Sequence, residues 1–170
     1  MKKLLALALA LSLALFAAAA LADDLNWSDV EAQATEIDAA FVSFDQVSAK
    51  MWVPTILEPL ELTGEDIEND YIAYFATADG SAAVGVTYTD VGGMSLEEYA
   101  AAVAENGGTG IKNMTVNGLP CIGYDLEEND TSAVSFLTES GSVLEFAFSP
   151  MSDEGFATVA LLMVASIQPM

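Results

Sequence analysis

Between residues 111 and 148 four strand-length segments succeed one another with only short turns between them: 111–116, 119–127, 132–138 and 142–148. The joints are Asn117-Gly118, Asn129-Asp130 and Ser140-Gly141. Each is made of residues that accept positive φ or hydrogen-bond their own backbone, which is the chemistry of a tight turn. The pattern predicts a four-strand antiparallel meander. Within it Ile122, Tyr124 and Leu126 share one face of their strand, and Leu144, Phe146 and Phe148 share one face of theirs. The opposite positions (Cys121, Gly123, Ala133, Leu137, Val143, Ala147) are smaller but still largely apolar. The sheet is therefore expected to be large-apolar on one face, small-apolar on the other, and covered on both.

The preceding residues supply the covering helices. Ser28-Asp29-Val30-Glu31 and Ser95-Leu96-Glu97-Glu98 both have capping-box spacing, in which serine and glutamate reciprocally satisfy N-terminal N–H groups. Val30, Ala34, Ile37 and Phe41 then recur at helical spacing over about three turns. Leu96, Tyr99, Ala100 and Val103 lay an apolar stripe on the second helix, and Asn106-Gly107-Gly108 ends it. Residues 41–44 and 49–53 read as strands about an Asp45-Gln46 turn. Pro54 and Pro59 then make an irregular link, in which Thr63 caps one short helical turn. Residues 71–77 and 82–89 form a hairpin across Asp79-Gly80. After Pro150, Ser152 is the expected cap of a last helix. Phe156, Val159, Ala160, Met163 and Ile167 make that helix apolar nearly all round, so it packs deeply.

Met1-Lys2-Lys3, the apolar run 4–16 and the small-residue run ending Ala20-Leu21-Ala22 have the three parts of a secretory signal peptide. The expectation is cleavage after Ala22, leaving residues 23–170 as one exported domain with no integral membrane segment. No cysteine lies near the cut to carry a lipid anchor. Cleavage removes Lys2 and Lys3 and takes the formal charge from −22 to −24. Spread over a domain surface these charges sit roughly 16 Å apart, and each bare repulsion in water is about 0.3 kcal/mol. A Debye length of about 8 Å screens most of that. With hydrophobic residues at 53% the chain folds despite its charge. Cys121 is the single cysteine, so no intrachain disulfide forms, and it reads as a small buried hydrophobe.

The hairpin ending Met51-Trp52-Val53-Pro54, the helix start Ser95-Leu96-Glu97-Glu98-Tyr99 and the turn Val116-Asn117-Gly118-Leu119-Pro120 have a further meaning together. With the C-terminal stretch from Leu144-Glu145-Phe146 through Phe156 to Ala165-Ser166-Ile167, they resemble the PsbP-like superfamily. That group includes an extrinsic photosystem II subunit, a Ran-binding nuclear import factor and many bacterial envelope proteins. The resemblance covers about residues 40–167 and consists of fold signatures. It implies an α+β fold: an antiparallel β-sheet with a C-terminal meander, packed by helices on both faces as an α/β/α sandwich. It also implies binding or assembly roles, and it names no substrate. The Ran-binding and photosystem roles have no matching residues here, and the membrane attachment of the lipoprotein relatives does not carry over.

Function classes are narrowed by what the chain lacks. It has no histidine, and after Lys3 its basic residues are Lys50 and Lys112. General bases of the histidine type, arginine anion clamps and phosphate grips are absent. The acid excess argues against nucleic acid and anionic membranes and favours basic or cationic partners. Three carboxylate groups invite an acid–base reading: Glu97 with Glu98, Glu127 with Glu128 and Asp130, and Glu65 with Asp66, Glu68 and Asp70. Glycosidic chemistry needs one member in an apolar pocket, and a solvated face is the simpler reading. The 65–70 and 127–131 segments are also the densest oxygen clusters for calcium, without EF-hand spacing. A Lys50 or Lys112 dyad with serine has no glycine-cradled serine nearby. Trp52 reads as core and Trp27 as a staple onto the first helix. Asn26, Asn113 and Asn129 match the glycosylation pattern, which carries no weight in a chain of bacterial appearance. The expectation is a secreted, non-enzymatic, acidic binding or accessory module of unknown ligand, with no catalytic, cofactor or metal residue assigned. A carboxylate hydrolase and a calcium-dependent adhesion module are the alternatives.

Overall fold

The computed structural model describes residues 24–170; the expected signal peptide, 1–22, lies outside the described residues. The fold is mixed α+β. Its elements in chain order are β1 (Asp24–Leu25), α1 (Trp27–Ala34), β2 (Ala39–Phe44), β3 (Ala49–Pro54), β4 (Leu57–Pro59), α2 (Gly64–Glu68), β5 (Tyr71–Thr77) and β6 (Ala83–Asp90). After these come α3 (Leu96–Glu105), β7 (Thr109–Val116), β8 (Leu119–Leu126), β9 (Thr131–Leu137), β10 (Ser142–Ser149), α4 (Glu154–Ser166) and β11 (Gln168–Pro169). One sheet has eight strands in the order β1-β7-β8-β9-β10-β6-β5-β4, and a second has three, β11-β3-β2. All pairings are antiparallel except that of β1 with β7. Helix α3 carries the chain from β6, near the middle of the large sheet, to β7 beside its β1 edge, and β7 to β10 return in order until β10 pairs with β6.

Register separates the two faces. Cys121 pairs with Phe136 and Phe136 with Leu144, so these three share a face. That face packs against α4, α1 and the small sheet, where Phe146, Phe148, Met51 and Met163 are fully enclosed. The other face carries Ile122, Tyr124 and Ala133 against Val103 and Leu96 of α3. The expectation of one large-apolar and one small-apolar face therefore fails. The large residues of β8 point toward α3, while those of β10 point toward α4. Strand-by-strand alternation was right, but pairing β8 to β10 through β9 puts the two sets on opposite sides.

Two expected caps also differ. Ser28 caps nothing: α1 starts at Trp27 after Asn26, and the Ser28 hydroxyl donates to Asp29. The Trp27 N–H instead donates to Asn117 Oδ1 at 2.9 Å, a partner ninety positions away. The cap of α4 is Asp153, whose carboxylate accepts from the Phe156 N–H, because Ser152 is engaged by Asp130. The link after Pro54 is less irregular than expected, since β4 pairs with β5 at the sheet edge. The boxes at Thr63 and Ser95 both form. Trp52 is buried, and Trp27 packs on it and on Phe41, with both ring pairs 5.9 Å apart. Among the described residues no helix is long and apolar enough to cross a membrane.

Candidate functional site

Helix α3 contacts β7 and β8, and α2 contacts β5; strands β10 and β6 lie between those contacts in the sheet order. A trough of about 230 Å³ runs there, lined by Tyr71, Tyr74, Gly85, Leu126, Glu145 and Ala147 among others. Register explains its shape. One row across the face reads Tyr124, Ala133, Ala147, Gly85, Tyr74, and the next reads Ile122, Ser135, Glu145, Thr87, Tyr71. Small residues thus lie between two tyrosines, and a carboxylate stands in the adjoining row.

Glu145 is held from one side. Its Oε2 accepts from the Tyr99 hydroxyl of α3 at 2.9 Å, the Tyr124 hydroxyl at 2.6 Å and the fully buried Ser135 hydroxyl at 2.7 Å. All three donors are neutral hydroxyls. Burial, and then the Glu145 charge, push the Tyr99 phenol up to about 12. The same causes push Tyr124 further in the same direction. Both tyrosines are therefore protonated donors at any physiological pH. Tyr71 is also raised, first by burial, then by Tyr74 and by Glu145 across the trough.

The tyrosine pair depends on a backbone irregularity. Residues 71 and 74 of a regular strand point to opposite faces. Here the register of β5 shifts between Tyr71 and Ala73, so both tyrosines come to one face and meet edge to face, with centroids 6.0 Å apart. Gly85 makes room beneath them: a Cβ at that position would lie 2.8 Å from Tyr71 Cε1. None of these residues was singled out by sequence as a site. The available signals were a glutamate between Leu144 and Phe146 in a central strand and a glycine inside the β6 pattern.

From the three carboxylate clusters, Asp66, Glu98, Glu127 and Asp130 accept hydrogen bonds from neighbouring groups. Asp66 and Glu98 close the capping boxes of α2 and α3, and their bonds to Thr63 and Ser95 hold both below the usual carboxylate range, away from what a general acid needs. Asp130 sits at φ +49° and accepts from the N–H and hydroxyl of Ser152, fixing the approach to α4. Among the described residues no three His, Cys, Asp or Glu side chains converge as metal ligands. Cys121 is fully buried and its thiol is pushed up to about 12 by burial, the environment of an inert cysteine. Lys50 lies over the Phe41 ring at 5.2 Å, on the small sheet. A second, apolar cleft of about 290 Å³ includes Ile37, Ile56, Phe156 and Val159, and its one carboxylate, Asp153, is the α4 cap.

No family model and no curated protein matches the chain. Among solved structures, the solution structure of cyanobacterial PsbP from Synechocystis aligns with a TM-score of 0.59 at 11% identity, covering 79% of this chain and 94% of that one. The crystal structure of the Saccharomyces cerevisiae Ran-binding protein Mog1p covers 78% and 96% at 11% identity, with a TM-score of 0.44. The fold is PsbP-like. At such identity the likeness extends to the fold alone.

Proposed function

We propose that the chain is exported, loses residues 1–22, and acts outside the cell as a single-domain, non-enzymatic binding module for basic partners. Its scaffold is a PsbP-like α/β/α sandwich with a four-strand C-terminal meander. The observation that carries the reading is Glu145, a carboxylate immobilised by three neutral hydroxyls at the edge of an open, tyrosine-walled trough. A fixed negative charge beside aromatic faces suits recognition of a cation. It suits hydrolysis poorly, because carboxylate catalysis of glycosides requires a second carboxyl roughly 5–10 Å away across the bond. Among the described residues Glu145 is the one carboxylate lining the trough.

The immobilised protein should retain basic peptides from a random pool at about 0.15 M salt and release acidic and neutral ones. It should turn over no member of a glycoside and ester substrate panel. Turnover, or retention indifferent to peptide charge, would overturn the reading. Intact mass of the exported form should place Asp23 first, and a retained full-length chain would count against the compartment.

A further inference from the structure

We infer that the trough over β10, β6 and β5 is the docking site for one cationic side chain, lysine or arginine, projecting from a basic partner segment. The inference rests on the binding-module reading and gives it a location and an occupant.

Size selects the occupant first. At about 230 Å³ the trough is smaller than the roughly 300–1,000 Å³ that a small-molecule pocket occupies. Small residues form its floor, since Ala147 and Gly85 lie in register beside Tyr74. One long, narrow side chain fits such a channel, with its methylenes over Ala147 and Leu126. Charge selects next. Tyr71 and Tyr74 are set edge to face beside the trough, and Glu145 stands in the adjoining row. An ammonium or guanidinium there meets aromatic faces and a carboxylate together. Among the described residues no cationic side chain lines the trough, so an acidic or phosphorylated occupant would face Glu145 unopposed, on a chain of net charge −22. A bare divalent ion would have a single carboxylate, against the six to eight oxygens calcium takes. Preorganisation completes the case: three hydroxyls already hold Glu145, so little of its freedom remains to be lost on binding.

Backbone-amide NMR of the purified protein titrated with blocked Gly-Arg-Gly and Gly-Lys-Gly tripeptides tests this. Saturable shifts should cluster at Tyr71, Tyr74, Gly85 and Ala147, and the isosteric but neutral citrulline tripeptide should produce none. Tyr74→Ala, at a position outside the Glu145 hydrogen bonds, should weaken binding about fivefold with the rest of the spectrum native. Ala147→Leu, which fills the floor, should abolish it. Shifts spread over the acidic surface and unchanged in Tyr74→Ala would overturn the trough while leaving a basic-partner module standing. Absence of shifts at the trough with both cationic peptides would also overturn it, and retention of basic peptides on the immobilised protein then decides separately whether the broader reading survives.

Discussion

Ser135 is fully buried, and its hydroxyl donates to Glu145 Oε2, an atom also taken by Tyr99 and Tyr124. Replacing that atom leaves donors without an acceptor in a place water reaches poorly. An amide oxygen accepts without the charge that strengthens these bonds, so Glu145→Gln should lower unfolding free energy by on the order of 2 kcal/mol, measured by chemical denaturation. The same cluster sets an alkaline limit. Tyr99 is raised from 10.0 to about 12 and Tyr124 is raised further, so the folded state keeps protons that the unfolded chain releases above pH 10. Stability from these phenols is thus complete below that pH and is lost as pH climbs through about 12. Denaturation midpoints taken from neutral to strongly alkaline pH should fall in that window, and Tyr124→Phe should reduce the fall. A fall of unchanged size in Tyr124→Phe would place the alkaline transition elsewhere. Cys121 obeys the same logic of enclosure: with no exposure and a thiol at about 12, it should resist thiol reagents until the protein is denatured. Cys121→Ala should cost about 1 kcal/mol. Rapid labelling of the native protein would show that the strand opens locally.

At the scale of elements, the β7–β8 turn connects both ends of the domain. Asn117, at φ +50°, donates from Nδ2 to the carbonyls of Ala165 and Ile167, each at 2.7 Å, and accepts from the Trp27 N–H. One side chain thus ties the start of α1 and the end of α4 to the large sheet. Asn117→Gly keeps the backbone conformation and removes the ties, so it should cost about 3 kcal/mol, roughly one for each net hydrogen bond. A loss well under 1 kcal/mol would mean that water substitutes for the amide. The same turn shows which features of the fold were legible in the sequence. The cap at Thr63 and the box at Ser95 were readable because every partner lies within three residues. The starts of α1 and α4 were not, because Asn117 and Asp130 reach Trp27 and Ser152 from turns distant in sequence and displace the local cap. Strand extents were readable from alternation, whereas their shared faces needed the pairing register. The candidate site was less legible still. Tyr71 and Tyr74 meet only through the irregularity in β5, and Glu145 acquires its donors from α3, β8 and β9.

For the whole molecule the dominant fact is charge: 26 carboxylates against four basic residues. The densest runs are not organised as metal centres among the described residues, because Asp66 serves Thr63 and Asp130 serves Ser152. Their repulsion is then a diffuse property of the surface, each pair worth a few tenths of a kcal/mol and subject to screening. Added sodium chloride should raise the melting temperature modestly and without saturating sharply. Calcium and magnesium at equal millimolar concentration should raise it by equal amounts, since both act through the ionic atmosphere. A built calcium site behaves differently: binding to the native state alone gives a saturable, calcium-selective rise that grows with the logarithm of concentration. Thermal melts in matched calcium and magnesium therefore separate the two. A calcium-selective rise that disappears in Asp66→Asn with Asp70→Asn, or in Glu128→Gln with Asp130→Asn, would replace the diffuse surface with a metal site.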